Sequence, residues 1–211
     1  MSLVKVAIAL GSNLGNSPEI IAKALQFLKA KEGIKFLKSS SLYQTVPVGP
    51  PQPDYINACA TLVVELSPLV LLDTLLAIEA QFGRVRLERW QARTLDLDII
   101  LYQDLILDTP RLTIPHPRMS DRAFVLVPLA EIAPDWLEPV TQKTISQLLQ
   151  GLDCRGVRKI ENIPHPSPLP NGEREQGNLW KPLLSPFAPC GRRGWGWGVL
   201  LMSRSDIATQ R

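Results

Sequence analysis

Hydrophobic and polar positions along this chain follow two periods, one of strands and one of helices. Residues 5–10 form an almost unbroken apolar run, the pattern of a buried strand. Gly11, Ser12, Asn13, Leu14, Gly15 and Asn16 break it as a turn. Ile20, Ile21, Ala24, Leu25 and Leu28 then recur at helical spacing, with Ser17 as the expected cap, Pro18 at the first position and Gly33 as the stop. Residues 34–43 predict a second strand. Residues 46–54 hold Pro47, Pro50, Pro51, Pro53 and Gly49 and predict a loop. A third strand is expected over 55–66, with Ile56, Ala58, Ala60, Leu62 and Val64 on one face.

Ser67 and Pro68 open a second helix through Leu69, Leu72, Leu75, Leu76 and Ile78, ending near Gly83. A fourth strand is expected over 94–102 and a short one over 105–107. Short helices are expected over 121–132 and 144–149. The order β-α-β-β-α-β predicts a ferredoxin-like α+β fold: an antiparallel sheet with helices packed on one face. Composition changes after residue 163. Residues 164–211 carry seven prolines and six glycines with little apolar periodicity, so this tail is expected to be disordered. The expected organisation is a catalytic domain over 1–163 and a Pro/Gly-rich tail over 164–211.

Charge and cysteine content narrow the setting. A net charge of +3 is too small to argue for nucleic acid. The three cysteines, Cys59, Cys154 and Cys190, show no C-x-x-C spacing, which fits a reducing, cytoplasmic setting better than a disulfide framework or a zinc site. No signal-peptide pattern and no membrane-spanning apolar run is visible. A monomer is expected, because no extended apolar patch is apparent.

The chemistry concentrates around Asp96 and Asp98. In a strand, residues i and i+2 share a face, so these carboxylates stand ~6–7 Å apart on one side while Leu97 and Ile99 turn into the core. Two carboxylates form an all-oxygen site of the kind Mg²⁺ accepts together with water and substrate phosphates. Alone, the pair also fits the polar face of an exposed strand. Immediately before it, however, come Arg84, Arg86, Arg89 and Arg93. Guanidinium groups bind phosphate oxygens bidentately and stabilise charge in phosphoryl transfer. His116 lies between Pro115 and Pro117 and could bond a phosphate or a ribose, although a lone histidine is more often structural. Tyr55 and Phe124 offer faces on which a flat heterocycle could stack, or serve as core aromatics. Asn57 offers donor and acceptor together. No Walker A or Rossmann glycine pattern is present, so any ATP site is of another kind.

These residues, in this order, resemble the 6-hydroxymethyl-7,8-dihydropterin pyrophosphokinase family. The resemblance runs over residues 4–152. It rests on Gly11-Ser12-Asn13-Leu14, on Asp54-Tyr55-Ile56-Asn57 and on Gly83-Arg84-Val85-Arg86. Further along it rests on Trp90 with Arg93-Thr94-Leu95-Asp96-Leu97-Asp98, on Arg111-Leu112-Thr113-Ile114-Pro115-His116 and on Arg122-Ala123-Phe124. Val46 stands where the family commonly has proline, and Gln91 where it commonly has glycine. The resemblance implies transfer of diphosphate from ATP to the pterin's hydroxymethyl group in tetrahydrofolate biosynthesis. It implies two Mg²⁺ ions on Asp96 and Asp98, with Arg84 and Arg93 gripping the triphosphate. Arg111, Thr113, His116 and Arg122 would serve the nucleotide. Thr45, Val48, Tyr55, Asn57, Trp90 and Phe124 would serve the pterin, Trp90 by closing the connector over it. Two other classes remain to be weighed: a binding module without turnover, and a two-metal phosphodiesterase, which would need further carboxylates or histidines.

Overall fold

A computed structural model describes residues 3–47, 51–84 and 92–161. The tail over 164–211, with the expectation of disorder placed on it, lies outside the described residues, as do Val48 and Trp90.

The first strand, β1 (Val4–Ser12), leads into α1 (Ser17–Ala30). Pro18 sits in the first turn as expected, but the cap position falls one residue earlier, at Asn16. The Ser17 hydroxyl instead accepts from that of Ser12 at 2.9 Å. The strand expected over 34–43 is two strands, β2 (Ile34–Ser39) and β3 (Tyr43–Thr45). The reason is local. Ser40 uses its hydroxyl to accept the Cys59 N–H at 3.0 Å, and a side chain that competes for a backbone partner interrupts the ladder. Next come β4 (Tyr55–Val64), α2 (Pro68–Gln81) and β5 (Asp96–Tyr102). A small ribbon follows, β6 (Leu107–Asp108) with β7 (Thr113–Ile114), the first strand of it starting two residues later than expected. A 3₁₀ turn (Met119–Asp121) precedes α3 (Ala123–Ile132), and α4 (Ile145–Leu149) starts from a capping box between Thr144 and Gln147. The last strand, β8 (Val157–Lys159), is short, polar and at the sheet edge, and its sequence gave no strand signal.

The main sheet is antiparallel throughout, in the order β5-β1-β4-β3-β8, with β2 also paired to β4. Alternation divides its side chains between two cores, with one shift of register between β1 and β5 that puts Ile99 and Leu101 in different cores. Val6, Ile8, Leu10, Ala60, Leu62, Leu97 and Ile99 pack with Ile21, Ala24 and Leu28 of α1 and Leu71, Leu75 and Ile78 of α2. Ala7, Cys59 and Leu101 belong to the second core, with Val125, Leu126 and Leu129 of α3 and with Ile145. Helices therefore cover both faces, not one. The added layer is α3, whose apolar side chains Val125, Leu126 and Leu129 are all fully buried or nearly so. No helix among the described residues is long and apolar enough to cross a membrane.

Candidate active site

The face under α3 becomes the site where that helix begins. Along β1 the residues on this face are Ala7, Ala9 and Gly11. Ala9 pairs with Cys59 on one side and Asp98 on the other, and Gly11 pairs with Asn57 and Asp96. Cys59 is covered by α3, its thiol donating to the Val125 carbonyl at 3.5 Å. One row further on, Asp96 and Tyr55 are only partly buried. The row Asn57–Gly11–Asp96 is thus a floor with an amide at one end and a carboxylate at the other. A Cβ on Gly11 would lie 3.1 Å from Asn57 Oδ1 and 3.9 Å from both Asp96 Cβ and Tyr55 Cδ1. Glycine keeps this floor flat.

At the carboxylate end, Arg84 and Arg93 each take one oxygen of Asp96. Arg84 Nη1 lies 2.6 Å from Oδ1, and Arg93 Nη1 donates to Oδ2. The same Arg84 nitrogen donates to Glu79 Oε1, a carboxylate on α2 that is 2% exposed. Glu79 Oε1 also accepts the Leu97 N–H at 2.7 Å, between the two aspartates. Arg93 is fixed by its backbone. Its N–H donates to Asn13 Oδ1 at 2.7 Å, and its carbonyl accepts from the N–H groups of Asn13 and Leu14. The Asn13 amide then donates to Gln52 Oε1 at 3.0 Å and to the Pro53 carbonyl. One side chain thereby joins the turn after β1, the loop before β4 and the end of the arginine connector.

Asp98 has a different environment. Burial, and then the Asp96 charge beside it, push its carboxyl up to about 6, against the opposing pull of Arg122. His116 Nε2 lies 3.9 Å from Asp98 Oδ2. His116 Nδ1 accepts the Arg118 N–H at 3.2 Å, which assigns the ring proton to Nε2. Burial, then Arg122 and Arg118, lower this imidazole to about 4, so it is neutral at pH 7 and presents N–H, not charge. Arg122, at the start of α3, lies over the Phe124 ring at 5.4 Å.

At the amide end, Asn57 Nδ2 donates to Thr45 Oγ1 at 2.7 Å, both residues being buried. That bond orients the amide and leaves Oδ1 over Gly11. The Tyr55 hydroxyl donates to Gln52 Oε1 at 3.4 Å. Tyr55 and Phe124 make no ring contact with each other among the described residues. Arg111 pairs with Asp73 of α2 at 2.5 Å in an exposed setting, and Thr113 Oγ1 donates to Asp108 at 3.1 Å. Of the residues singled out in the sequence, the structure thus joins Arg84, Arg93 and Asp96 directly, and sets His116 and Arg122 around Asp98. It joins Thr45 to Asn57 and leaves Arg111 and Thr113 with partners outside this cluster. Glu79, Asn13 and Gly11 were given no individual role by the sequence reading. The available signal for Glu79 was an acid four residues after Leu75, on the buried stripe of α2.

The donor set suits a hard divalent cation. Among the described residues no group of three or more Asp, Glu, His or Cys gathers as a metal cage. Two carboxylates with an open edge are what Mg²⁺ takes when water and substrate phosphates complete its shell.

The family model for 7,8-dihydro-6-hydroxymethylpterin-pyrophosphokinase matches residues 7–134. A 2-amino-4-hydroxy-6-hydroxymethyldihydropteridine pyrophosphokinase from Synechocystis is 55% identical over 150 residues, covering 71% of this chain and 77% of the relative. The enzyme of that name from Haemophilus influenzae is 50% identical, covering 74% of this chain and 98% of its own length. Folic acid synthesis protein fol1 of Schizosaccharomyces pombe is 37% identical over 82% of this chain, a match that spans 24% of the yeast protein. A crystal structure of a Plasmodium falciparum HPPK-DHPS triple mutant superposes with a TM-score of 0.59 at 15% identity, over 71% of this chain and 43% of that one. At that identity, and with less than half of that chain spanned, it speaks for the fold alone.

Proposed function

The chain belongs to the 7,8-dihydro-6-hydroxymethylpterin-pyrophosphokinase family, and from that premise we propose how its own residues carry the transfer. The activity is pyrophosphoryl transfer from ATP to the hydroxymethyl group of 7,8-dihydro-6-hydroxymethylpterin, a step of folate biosynthesis. The observation that supports the residue assignment is the floor Asn57–Gly11–Asp96, which sets the Asn57 amide and the Asp96 carboxylate side by side.

In this reading Asp96 and Asp98 would hold two Mg²⁺ ions. Bound there, Mg²⁺ supplies charge neutralisation for the triphosphate and its leaving group. Arg84 and Arg93, which each meet one oxygen of Asp96, grip the phosphates of the nucleotide. Asn57 reads the pterin edge in the orientation set by Thr45, and Tyr55 and Phe124 take its two faces. Neutral His116 donates Nε2–H toward the phosphates, and Arg122 adds positive charge at the start of α3. The hydroxymethyl oxygen attacks the β-phosphorus in line and gives up its proton to the medium, and the bond from the β-phosphorus to the α,β-bridging oxygen breaks, releasing AMP with that oxygen. Orientation and charge supply the rate, with the arginine connector excluding water as a competing acceptor.

Val48, Trp90, Arg111 and Thr113 keep the pterin and nucleotide roles that the resemblance implies. The strand order β5-β1-β4-β2 with α1 and α2 on one face supports a ferredoxin-like core. We read residues 1–163 as the catalytic domain, monomeric and cytoplasmic, with 164–211 as an appended tail.

The test is Asp98→Ala. Transfer should fall by at least about 10³-fold, the scale on which such electrostatic groups act, while pterin binding, followed by fluorescence, stays within a few-fold. Retained turnover would contradict the assignment of this edge.

A further inference from the structure

Glu79 is the one acid on the buried stripe of α2, and it is 2% exposed. A carboxylate so placed is costly unless it is paired and hydrogen-bonded. Its Oε1 meets two groups of the site: the Leu97 N–H at 2.7 Å, between Asp96 and Asp98, and the Arg84 guanidinium. Arg84 itself is shared, because Asp96 Oδ1 stands 2.6 Å from the same nitrogen. Arg84 is therefore held between a carboxylate on the cleft edge and a carboxylate in the interior.

These two acids have different futures during the reaction. A divalent cation held at Asp96 would stand against the same oxygens that the two guanidinium groups now meet, and like charges repel. Arg93 keeps its place through its backbone bonds to Asn13. The Arg84 backbone N–H donates to the Glu79 carbonyl at 3.3 Å, and the partner its guanidinium retains is the Glu79 carboxylate. We propose that Glu79 is a positioning residue. It keeps the Arg84 guanidinium beside the β5 edge when Asp96 releases it, so that Arg84 meets the triphosphate in place. Through the Leu97 N–H it also locks α2 to the strand segment between the two aspartates. This rests on the phosphate-binding role of Arg84 given above. Glu79 acts through Arg84 and touches no substrate.

The test is a double-mutant cycle on kcat with Glu79→Gln, Arg84→Ala and the pair. Glutamine can still accept the Leu97 N–H, so the strand lock is kept while the negative charge facing Arg84 is lost. Glu79→Gln should lower kcat about tenfold or more in the native background and less than about twofold in the Arg84→Ala background. Its cost in melting temperature should be smaller, or reversed, in the Arg84→Ala background, where the buried carboxylate has already lost that partner. An equal loss of kcat in both backgrounds overturns the proposal and leaves the Arg84 assignment standing. Full turnover by Arg84→Ala alone overturns that assignment and this one with it. Should Glu79→Gln not fold, Glu79→Asp, which keeps the charge and withdraws it by one methylene, runs the same cycle with the same outcomes.

Discussion

Asn57 and Asp96 are neighbours of the same residue: both pair with Gly11, one from β4 and one from β5, so the amide and the carboxylate face the same cleft across a single glycine. The spacing between the Asn57 amide and the Asp96 carboxylate is thereby fixed by the sheet and not by a loop. Rigid strands hold such a constellation more closely than connecting segments do.

Gly11→Ala tests that floor. The added methyl would stand 3.1 Å from Asn57 Oδ1, and the amide cannot retreat freely because Thr45 Oγ1 holds its other end. The backbone at this position does not need glycine, so the fold should survive with a loss of at most about 1–3 kcal/mol. Pterin affinity should fall at least about tenfold, with MgATP affinity changed much less. Equal losses for both ligands, measured by calorimetry, would contradict the division of the floor into two ends.

Glu131 provides a pH test away from the chemistry. It accepts from the Ser41 hydroxyl and N–H at 2.7 and 2.9 Å, from the Tyr43 hydroxyl at 3.0 Å and from Lys159 Nζ at 3.1 Å, tying α3 to β3 and β8. Burial alone would raise its carboxyl, but the Ser41, Lys159 and Tyr43 hydrogen bonds outweigh burial and hold it below the ordinary 4.5. Near and below that value the unfolded chain binds more protons than the native one, so stability falls as pH falls. Glu131→Gln should cost about 1–2 kcal/mol at pH 7. The gap to the native protein should narrow as pH drops below 4.5 through the folded value. A gap that stays constant from pH 7 to pH 3 in urea unfolding would contradict the assignment.

Thr94 carries a buried hydroxyl with no partner among the described residues, two positions before Asp96. An unsatisfied buried donor costs about 1–3 kcal/mol. Replacing it by the isosteric valine should therefore leave the unliganded protein as stable or up to about 1 kcal/mol more stable. A clear loss of stability in thermal unfolding would show that the hydroxyl is satisfied in the folded protein.

Much of the fold was legible because the periodicities are unusually clean. The strands β1, β4 and β5 show near-continuous apolar runs, and α1 and α2 are opened by Pro18 and Pro68. The break between β2 and β3 was not legible, since a serine in a β-run does not announce that its side chain will replace a backbone partner. Nor was the placement of α3, whose apolar residues surround most of its circumference and so point to no particular face. In the site, Asp96, Asp98, Arg84 and Arg93 were legible because opposite charges crowd one short segment. Glu79 and Gly11 were not. Their roles come from where α2 and β1 bring them, across strand pairs and a helix contact that no local pattern encodes.

The most direct measurement is the identity of the nucleotide product. The protein is incubated with MgATP and 6-hydroxymethyl-7,8-dihydropterin, and the nucleotides are separated. The account predicts pterin-dependent AMP, formed in equal amount with the pterin diphosphate and without ADP. ADP as the product would place attack at the γ-phosphorus and contradict the account.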